Sequence, residues 1–422
     1  MNVNSYSESK KTWDWFATIL FLLVFGDALI TYFTQRVGFS HVAAITGFLF
    51  LIYFLLKGPK ASLPNSRTTG WLLLFVVGFS IAVPMQNGIG LYRLLQIASA
   101  GTAFLVGFVF FKTARDEEKL ANLLLFATSI YLIICLLALY KIAPGVFPLE
   151  TMLWSNNGVL NERPSVMTDQ NFQVFYLFPV VLLMALPFRL IRGTMVLVCV
   201  IGSLLVLAKL QTRSGVLIIS GLTLLAIIAP FKIASLGRRK IVVLPAVGIL
   251  IAILILPLAL SQAGLLLERF SGSDGDFRTL VGRLHSFTYL FENLWNPMWW
   301  LPRGNNEFVA ITGNTPHSNA TAMFLEGGIL GLLAWFALLI VPLWRYFRLF
   351  RRRQLDNIGA MLMLAGIGTF VMQMTLNVPV MDQVWLWMGA MAGGLTRMRL
   401  QAQAQRASEN SESSQQKAIE ST

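Results

Sequence analysis

Three side chains with a clear capacity for chemistry, His317, Asn319 and Glu326, lie close together in the sequence. Histidine titrates near neutral pH, which suits a general base that removes a proton from a hydroxyl group. Asn319 is a good N-cap for the apolar helix predicted after it, so His317 lies where a helix N-terminus favours anions. We predict that His317 is catalytic, that Asn319 binds substrate, and that Glu326 and Ser318 support them. The competing interpretation of His317 is an ordinary solvated loop residue.

Arg213 interrupts an otherwise apolar part of the chain between two predicted membrane helices. It lies at a helix end that carries few other cations. One interpretation is an interfacial arginine that buries its stem and keeps its charge in water. The other is an anion ligand, because a guanidinium group makes bidentate contacts with phosphate.

A second arginine, Arg283, begins a stretch in which apolar residues recur at helical spacing. These residues are Leu284, Phe287, Phe291, Leu294 and Trp295. The pattern predicts an amphipathic helix on the outer leaflet, with Trp299 and Trp300 in the aromatic belt. Arg283 and, after this helix, Arg303 are further candidates for substrate binding.

The elements that must position these residues are membrane helices. The chain has 422 residues, of which 56% are hydrophobic, and its mean hydropathy is +0.66. Apolar runs of about 20 residues, long enough to cross the hydrocarbon core as helices, recur along it. The net charge of +13 is spread over alternate loops and forms no basic stripe, so we expect no nucleic-acid partner. Neither GxGxxG nor GxxxxGK[ST] occurs.

The fold class predicted is an all-α polytopic membrane protein with about twelve transmembrane helices. The apolar runs are 13–34, 41–56, 69–84, 93–111, 120–140, 171–187, 193–209, 214–231, 241–260, 320–343, 358–376 and 382–396. Residues 1–12 form an N-terminal tail, and residues 401–422 a tail predicted to be disordered. Asp27 is an ionisable residue inside the first run and has no evident partner.

The distribution of cations predicts the orientation of this membrane domain, residues 13–400. Most of the 33 lysines and arginines fall in the tails and in alternate loops that share one side. By the positive-inside rule, both termini are cytoplasmic. The two longest loops, 141–170 and 261–319, then face the outside.

Several short motifs occur in a recognisable order between about residues 205 and 345. They are Thr212-Arg213-Ser214-Gly215, Gly282-Arg283, Gly304, His317-Ser318-Asn319 and Leu325-Glu326-Gly327-Gly328-Ile329-Leu330-Gly331. In this order they resemble the superfamily of O-antigen ligases, polymerases and O-oligosaccharyltransferases, and within it the O-antigen ligases. Upstream, only the helix count and the loop sizes match. The chain has Gly304-Asn305-Asn306 where members of the superfamily often have Gly-x-Gly.

The resemblance implies a GT-C-like fold in a bacterial inner membrane, with short amphipathic helices in the large periplasmic loop. It implies transfer of O-antigen polysaccharide from undecaprenyl diphosphate to a hydroxyl of the lipid A–core oligosaccharide at the periplasmic face. The reaction would invert the anomeric centre and need neither metal nor cofactor. Arg213 and Arg283 would stabilise the departing diphosphate, and His317 would activate the acceptor hydroxyl.

Alternatives remain open at the level of sequence. An O-antigen polymerase would share the fold, donor and cationic residues and differ in its acceptor. A lipid-linked oligosaccharide flippase would show repeats, broken helices and charges near the bilayer midplane, where only Asp27 and Glu326 stand out. Asp274-Gly275-Asp276 matches a short metal-binding pattern, but no further ligand adjoins it. We therefore predict no metal site.

Overall fold

The computed structural model describes residues 14–34, 39–82, 90–142, 144, 146–147, 150–156, 159–166, 173–186, 190–210, 212–228, 285–303, 318–375 and 381–420. The predicted N-terminal tail, the predicted span 241–260 and most of the predicted loop 261–319 lie outside these residues. Within them the chain is mainly helical. The helices are α1 (Trp15–Phe25), α2 (Asp27–Thr34), α3 (Phe39–Lys57), α4 (Pro59–Ser62), α5 (Ser66–Ala82), α6 (Gly90–Thr113), α7 (Glu117–Leu139), α8 (Gln173–Leu177), α9 (Pro179–Leu182), α10 (Leu190–Lys209), α11 (Arg213–Ile228), α12 (285–294), α13 (Asn319–Arg351), α14 (Asn357–Thr375) and α15 (Asp382–Glu420).

The membrane class predicted from composition is confirmed in its coarse form. Among the described residues, 4 helices, in α6, α7, α13 and α14, are long and apolar enough to cross a membrane, and the bent pair α1 and α2 would make a fifth span. Shorter apolar helices lie in α3, α5, 173–185, α10 and α11. The number of about twelve spans and the GT-C-like arrangement stay predictions.

Helices α6 and α15 approach each other closely through glycine. A Cβ atom on Gly389 or Gly393 would overlap the carbonyl oxygen of Phe104 or Phe108, one turn apart on α6. Gly107 makes the reciprocal approach to the backbone of α15. Small residues at this spacing let helix backbones pack tightly in membranes, where lipid tails give no hydrophobic drive for association.

Charged residues that the sequence assigns to one side of the membrane meet at the helix ends. The Lys57 ammonium lies 3.9 Å from the Asp14 carboxylate, which joins the end of α3 to the start of α1. Arg397 pairs with Asp356 at 2.8 Å, and so ties α15 to the residue before α14. These contacts agree with the predicted alternation of helix direction. Which end is cytoplasmic stays a prediction.

A β-hairpin is the main departure from the predicted all-α fold. Strands β1 (Glu150–Asn156) and β2 (Val159–Ser165) pair antiparallel within the predicted loop 141–170. The two residues between them in the sequence are Asn157-Gly158. Asn-Gly is the dipeptide most typical of two-residue hairpin turns, so a local signal for this element was present.

The C-terminus also differs from its prediction. Helix α15 continues through Glu420, where the sequence suggested a disordered tail from residue 401. The first residues of the predicted tail are Gln401-Ala-Gln-Ala-Gln-Arg-Ala407, which are mostly strong helix formers. Gln405 donates a hydrogen bond to Glu409 one turn later. Local helix propensity therefore outweighs the polar composition here.

The close packing of α6 on α15 gives a direct test. We expect Gly389→Ala to destabilise the protein by about 1–3 kcal/mol, since its methyl group has to push the two backbones apart. Gly101→Ala on α6 is the matched control because a Cβ there meets nothing within 4 Å. The control should be neutral or slightly stabilising. Thermal unfolding of both variants in detergent, followed by tryptophan fluorescence, makes the comparison, and equal melting temperatures would refute the packing argument.

Candidate functional site

The start of α13, directly after His317 in the sequence, is deeply buried. Ser318 is the N-cap, and Asn319 is fully buried as the first helical residue. The Asn319 side-chain amide donates to Gln373 Oε1 at 2.9 Å. The indole N–H of Trp335 donates to the same oxygen. Two distant positions of α13, Asn319 and Trp335, thus bond to the buried side-chain amide of Gln373 on α14.

The N-cap assignment corrects the sequence analysis, which gave this role to Asn319. Ser318 has the extended backbone of an N-cap, but its hydroxyl makes no side-chain capping bond. Its Oγ is buried without a hydrogen-bond partner among the residues that the structure describes. Asn319 is instead the first helical residue, and its side-chain amide donates to Gln373 of α14. Its proposed contact with substrate stays a prediction.

Helix α13 is broken at Gly328, where the backbone has φ 62° and ψ −162°. The break is closed by the segment that follows α12. The Arg303 N–H donates to the Leu325 carbonyl at 2.7 Å, and the Ile329 N–H donates to the Trp300 carbonyl at 2.9 Å. A Cβ on Gly328 would lie 2.5 Å from the Trp300 oxygen. The position requires glycine both for its left-handed backbone and for this close approach.

Helix α12 itself packs against the first half of α13, which precedes the break at Gly328. The Thr321 hydroxyl donates to the Ser286 carbonyl at 2.9 Å, and buried Tyr289 packs on Leu325. Residues 285–303 therefore contact α13 at both ends, once through Ser286 and once through Arg303. They form one unit with the first half of α13.

The amphipathic helix predicted from residue 283 onward is confirmed over 285–294. Two members of its predicted apolar face, Phe291 and Trp295, have 60% and 81% of their surface exposed. Met298 and Leu301, which follow the helix, are exposed as well. An apolar face left uncovered beside a membrane domain suits contact with lipid. Its place in the outer leaflet stays a prediction.

Glu326 is 1% exposed and lies two residues before the break. It is followed by Gly327, which with Gly331 packs α13 on α5. A Cβ on Gly78 would lie 2.8 Å from the Gly327 oxygen and 2.9 Å from the Gly331 nitrogen. Two glycines four residues apart on one helix face permit such a close approach of helix backbones. A supporting role for Glu326 stays a prediction.

Only some of the predicted site residues lie within the described part of the chain. His317 and Arg283 lie outside the described residues, as does Asp274-Gly275-Asp276. Arg213 is the first residue of α11, but its side chain lies outside the description. Arg303 is half-buried, and its guanidinium donates to the Met298 carbonyl at 3.1 Å.

The helix that begins at Arg213 is connected to α13 through α14. A Cβ on Gly368 of α14 would lie 2.9 Å from Leu222 of α11, and Gln373 of the same helix holds Asn319. The structure thus brings together the helices that carry two of the predicted motifs. It gives no contact between the motif side chains themselves.

Sequence reasoning missed Gln373, the residue that orders the start of α13. Gln373 is fully buried in the apolar run 358–376, and a polar side chain inside such a run was the available signal. It also missed the backbone pairing of Trp300 and Arg303 with α13, for which the sequence carries no side-chain signal.

No group of three or more His, Cys, Asp or Glu side chains that could hold a metal ion occurs among the described residues. Comparison with known proteins adds no identity: no family model, curated protein or solved structure matches the chain. The function has to be argued from the residues and their arrangement.

The glycine at the break gives the second test. Gly328→Ala should destabilise the protein by about 2 kcal/mol or more, because it strains a left-handed backbone and displaces the Trp300 carbonyl. It should also speed amide hydrogen exchange at Arg303 and Ile329. Gly70→Ala is the control, since a Cβ there meets nothing within 4 Å. Unchanged exchange at both amides in Gly328→Ala would contradict the pairing described above.

Proposed function

We propose that this protein is a membrane glycosyltransferase of the O-antigen ligase type. It transfers O-antigen polysaccharide from undecaprenyl diphosphate to a hydroxyl of the lipid A–core oligosaccharide, at the periplasmic face of the bacterial inner membrane. The motif order carries the family assignment. The observation that supports a shared site is the contact of α12 with the first half of α13.

This contact joins the two segments that directly follow Arg283 and His317, the two central candidates. Ser286 follows Arg283 by three residues, and Thr321 follows His317 by four. The hydrogen bond between Thr321 and Ser286 therefore joins two segments. One directly follows Arg283, the predicted phosphate ligand, and the other directly follows His317, the predicted base. Three and four extended residues span at most about 10 and 14 Å, so both side chains lie within reach of one reaction centre.

The division of labour follows from what the chemistry needs. A diphosphate is already a good leaving group, so the donor requires cations rather than a strong acid, and Arg213 and Arg283 supply them. His317 takes the proton of the acceptor hydroxyl as that oxygen attacks the anomeric carbon. One direct displacement inverts the anomeric centre. Asn319, locked to Gln373, positions the chain beside the base.

An apolar donor also needs a surface that accepts its lipid. The exposed side chains Phe291, Trp295, Met298 and Leu301 lie on the segment that starts beside Arg283. A polyprenyl chain in the outer leaflet would contact these groups while its diphosphate meets the arginines. This arrangement lets one segment recognise both the lipid and the diphosphate of the donor.

The proposal can be tested by expressing variants of this protein in cells that lack its gene. We expect His317→Ala and Arg283→Ala to give bare lipid A–core, with long glycan accumulating on undecaprenyl diphosphate. The loss of transfer should be about 100-fold or more, as for removal of a general base. Lipopolysaccharide gels and lipid-linked glycan analysis are the measurements.

His285→Ala and Arg406→Ala are the controls, because both side chains are exposed and neither has a predicted role. Both should retain the normal ladder. Core carrying a single repeat unit in the deletion strain would identify a polymerase instead. A normal ladder from His317→Ala at normal protein level would exclude this residue as the base.

A lipid-linked oligosaccharide flippase is the second candidate, and specific observations favour it. The first membrane helix is broken, with a bend of 62° between α1 and α2. Asp27 and Asp382, both 4% exposed, lie near this break. Broken helices with buried carboxylates are typical of transporters.

Proteoliposomes separate the two classes. A fluorescent polyprenyl diphosphate oligosaccharide should stay on its own leaflet and be transferred to added lipid A–core if the protein is a ligase. Rapid exposure of the fluorophore to an external quencher, without transfer, would establish the flippase. An empty-liposome control measures spontaneous flipping.

A further inference from the structure

The break between α1 and α2 places a carboxylate inside the helical bundle. Gly26 separates the two helices, and Asp27 is the first residue of α2. In a membrane, broken backbone is tolerated only where protein or a polar cavity covers it. The residues around Asp27 therefore indicate how the polar groups at this break are satisfied.

One oxygen of Asp27 is fully occupied by donors. Asp27 Oδ1 accepts from the Ala28 N–H at 2.5 Å, the Tyr176 hydroxyl at 2.8 Å and the Gln383 amide at 2.6 Å. Three donors on one oxygen compensate much of the charge of this carboxylate. Asp27 is thus held by α2, α8 and α15 together.

The second carboxylate of the cavity is compensated far less. Asp382, the first residue of α15, is 4% exposed. Its Oδ2 accepts from the Ser99 hydroxyl at 2.5 Å. Its Oδ1 is buried and has no hydrogen-bond partner among the described residues. A buried carboxylate oxygen without a donor or cation is strongly unfavourable.

Both carboxylates line one small cavity, together with Thr46, Ser99 and Thr102. The hydroxyl protons of these three residues are already used. Thr46 donates to Val42 at 2.8 Å, Thr102 donates to Ala98 at 2.9 Å, and Ser99 donates to Asp382. The hydroxyl groups therefore offer only oxygen lone pairs to the cavity.

We propose that this cavity binds a single sodium ion. Its polar lining consists of oxygen acceptors, which are the ligands that hard cations prefer. Among the residues whose side chains the structure describes, no lysine, arginine or histidine lines it. Three donors already stabilise the charge of Asp27, so Asp382 is the carboxylate that lacks a partner on one oxygen. A monovalent ion balances the single charge of Asp382. The cavity has room for about one water-sized ion.

The sodium site is independent of the glycosyl-transfer proposal, because it uses none of the predicted catalytic residues. It joins the start of α15 to α6 through Ser99 and to the break after α1 through Asp27. An ion there would stabilise the junction of three membrane helices. It would make the stability of the fold depend on sodium.

Thermal unfolding of the purified full-length protein in detergent tests the site. The protein is titrated with NaCl, and choline chloride keeps the ionic strength constant. The wild type should show a saturable rise in melting temperature, since a ligand that binds only the folded state stabilises it by mass action. Asp382→Asn should weaken apparent sodium affinity by at least about tenfold, as expected for loss of a charged ligand.

Ser99→Ala keeps both carboxylates and should weaken the affinity by about 2- to 12-fold, which covers the case in which Asp382→Asn fails to fold. Glu409→Gln makes the same chemical change at an exposed carboxylate and should behave as the wild type. Equal melting temperatures in NaCl and choline chloride would overturn the proposal. Stabilisation by CaCl2 or by acid without any sodium response would overturn it as well, and so would a full sodium response in Ser99→Ala.

Discussion

The pairing of backbone groups at the break in α13 is the constraint on which the candidate site depends. A membrane gives a helix no water to satisfy a freed carbonyl or amide. Leu325 and Ile329 find their partners in Arg303 and Trp300, on the segment after α12. The segment thus supplies both of these hydrogen bonds across the break at Gly328. The outer segment and the membrane helix are therefore one structural unit.

Gln373 of α14 connects this unit to the rest of the helical bundle. Its side-chain oxygen accepts from both Asn319 and Trp335. The two halves of α13, before and after the break, are therefore bonded to the same residue of α14. Helix α14 also contacts α11, which begins at Arg213. The predicted phosphate ligand and the chain beside the predicted base are thus carried by helices that share α14 as a common support.

The sequence predicted those features that depend on local periodicity or composition. The apolar face of 285–294 and the Gly327 and Gly331 contacts follow from spacing within one helix, and both are present in the structure. The membrane class follows from composition alone. Gln373, the Trp300 carbonyl and the pairing of Asp27 with residues of α15 could not be predicted. Each depends on which distant segments become neighbours, and no periodicity within one helix reports that. The hairpin at 150–165 was missed although its turn dipeptide is a local signal.

Helix α15 begins at the buried carboxylate of Asp382 and continues far beyond the apolar part of the chain. Its 39 residues span about 58 Å at 1.5 Å per residue, about twice the thickness of a hydrocarbon core. Residues 401–411, 413 and 414 of its far part are exposed. Gly389 and Gly393 hold the first part of α15 against α6. A bend of about 10° beyond Gly393 would displace the Glu420 end by about 7 Å over the remaining length of about 40 Å. A spectroscopic probe at the exposed Ser411 would report such a change in direction.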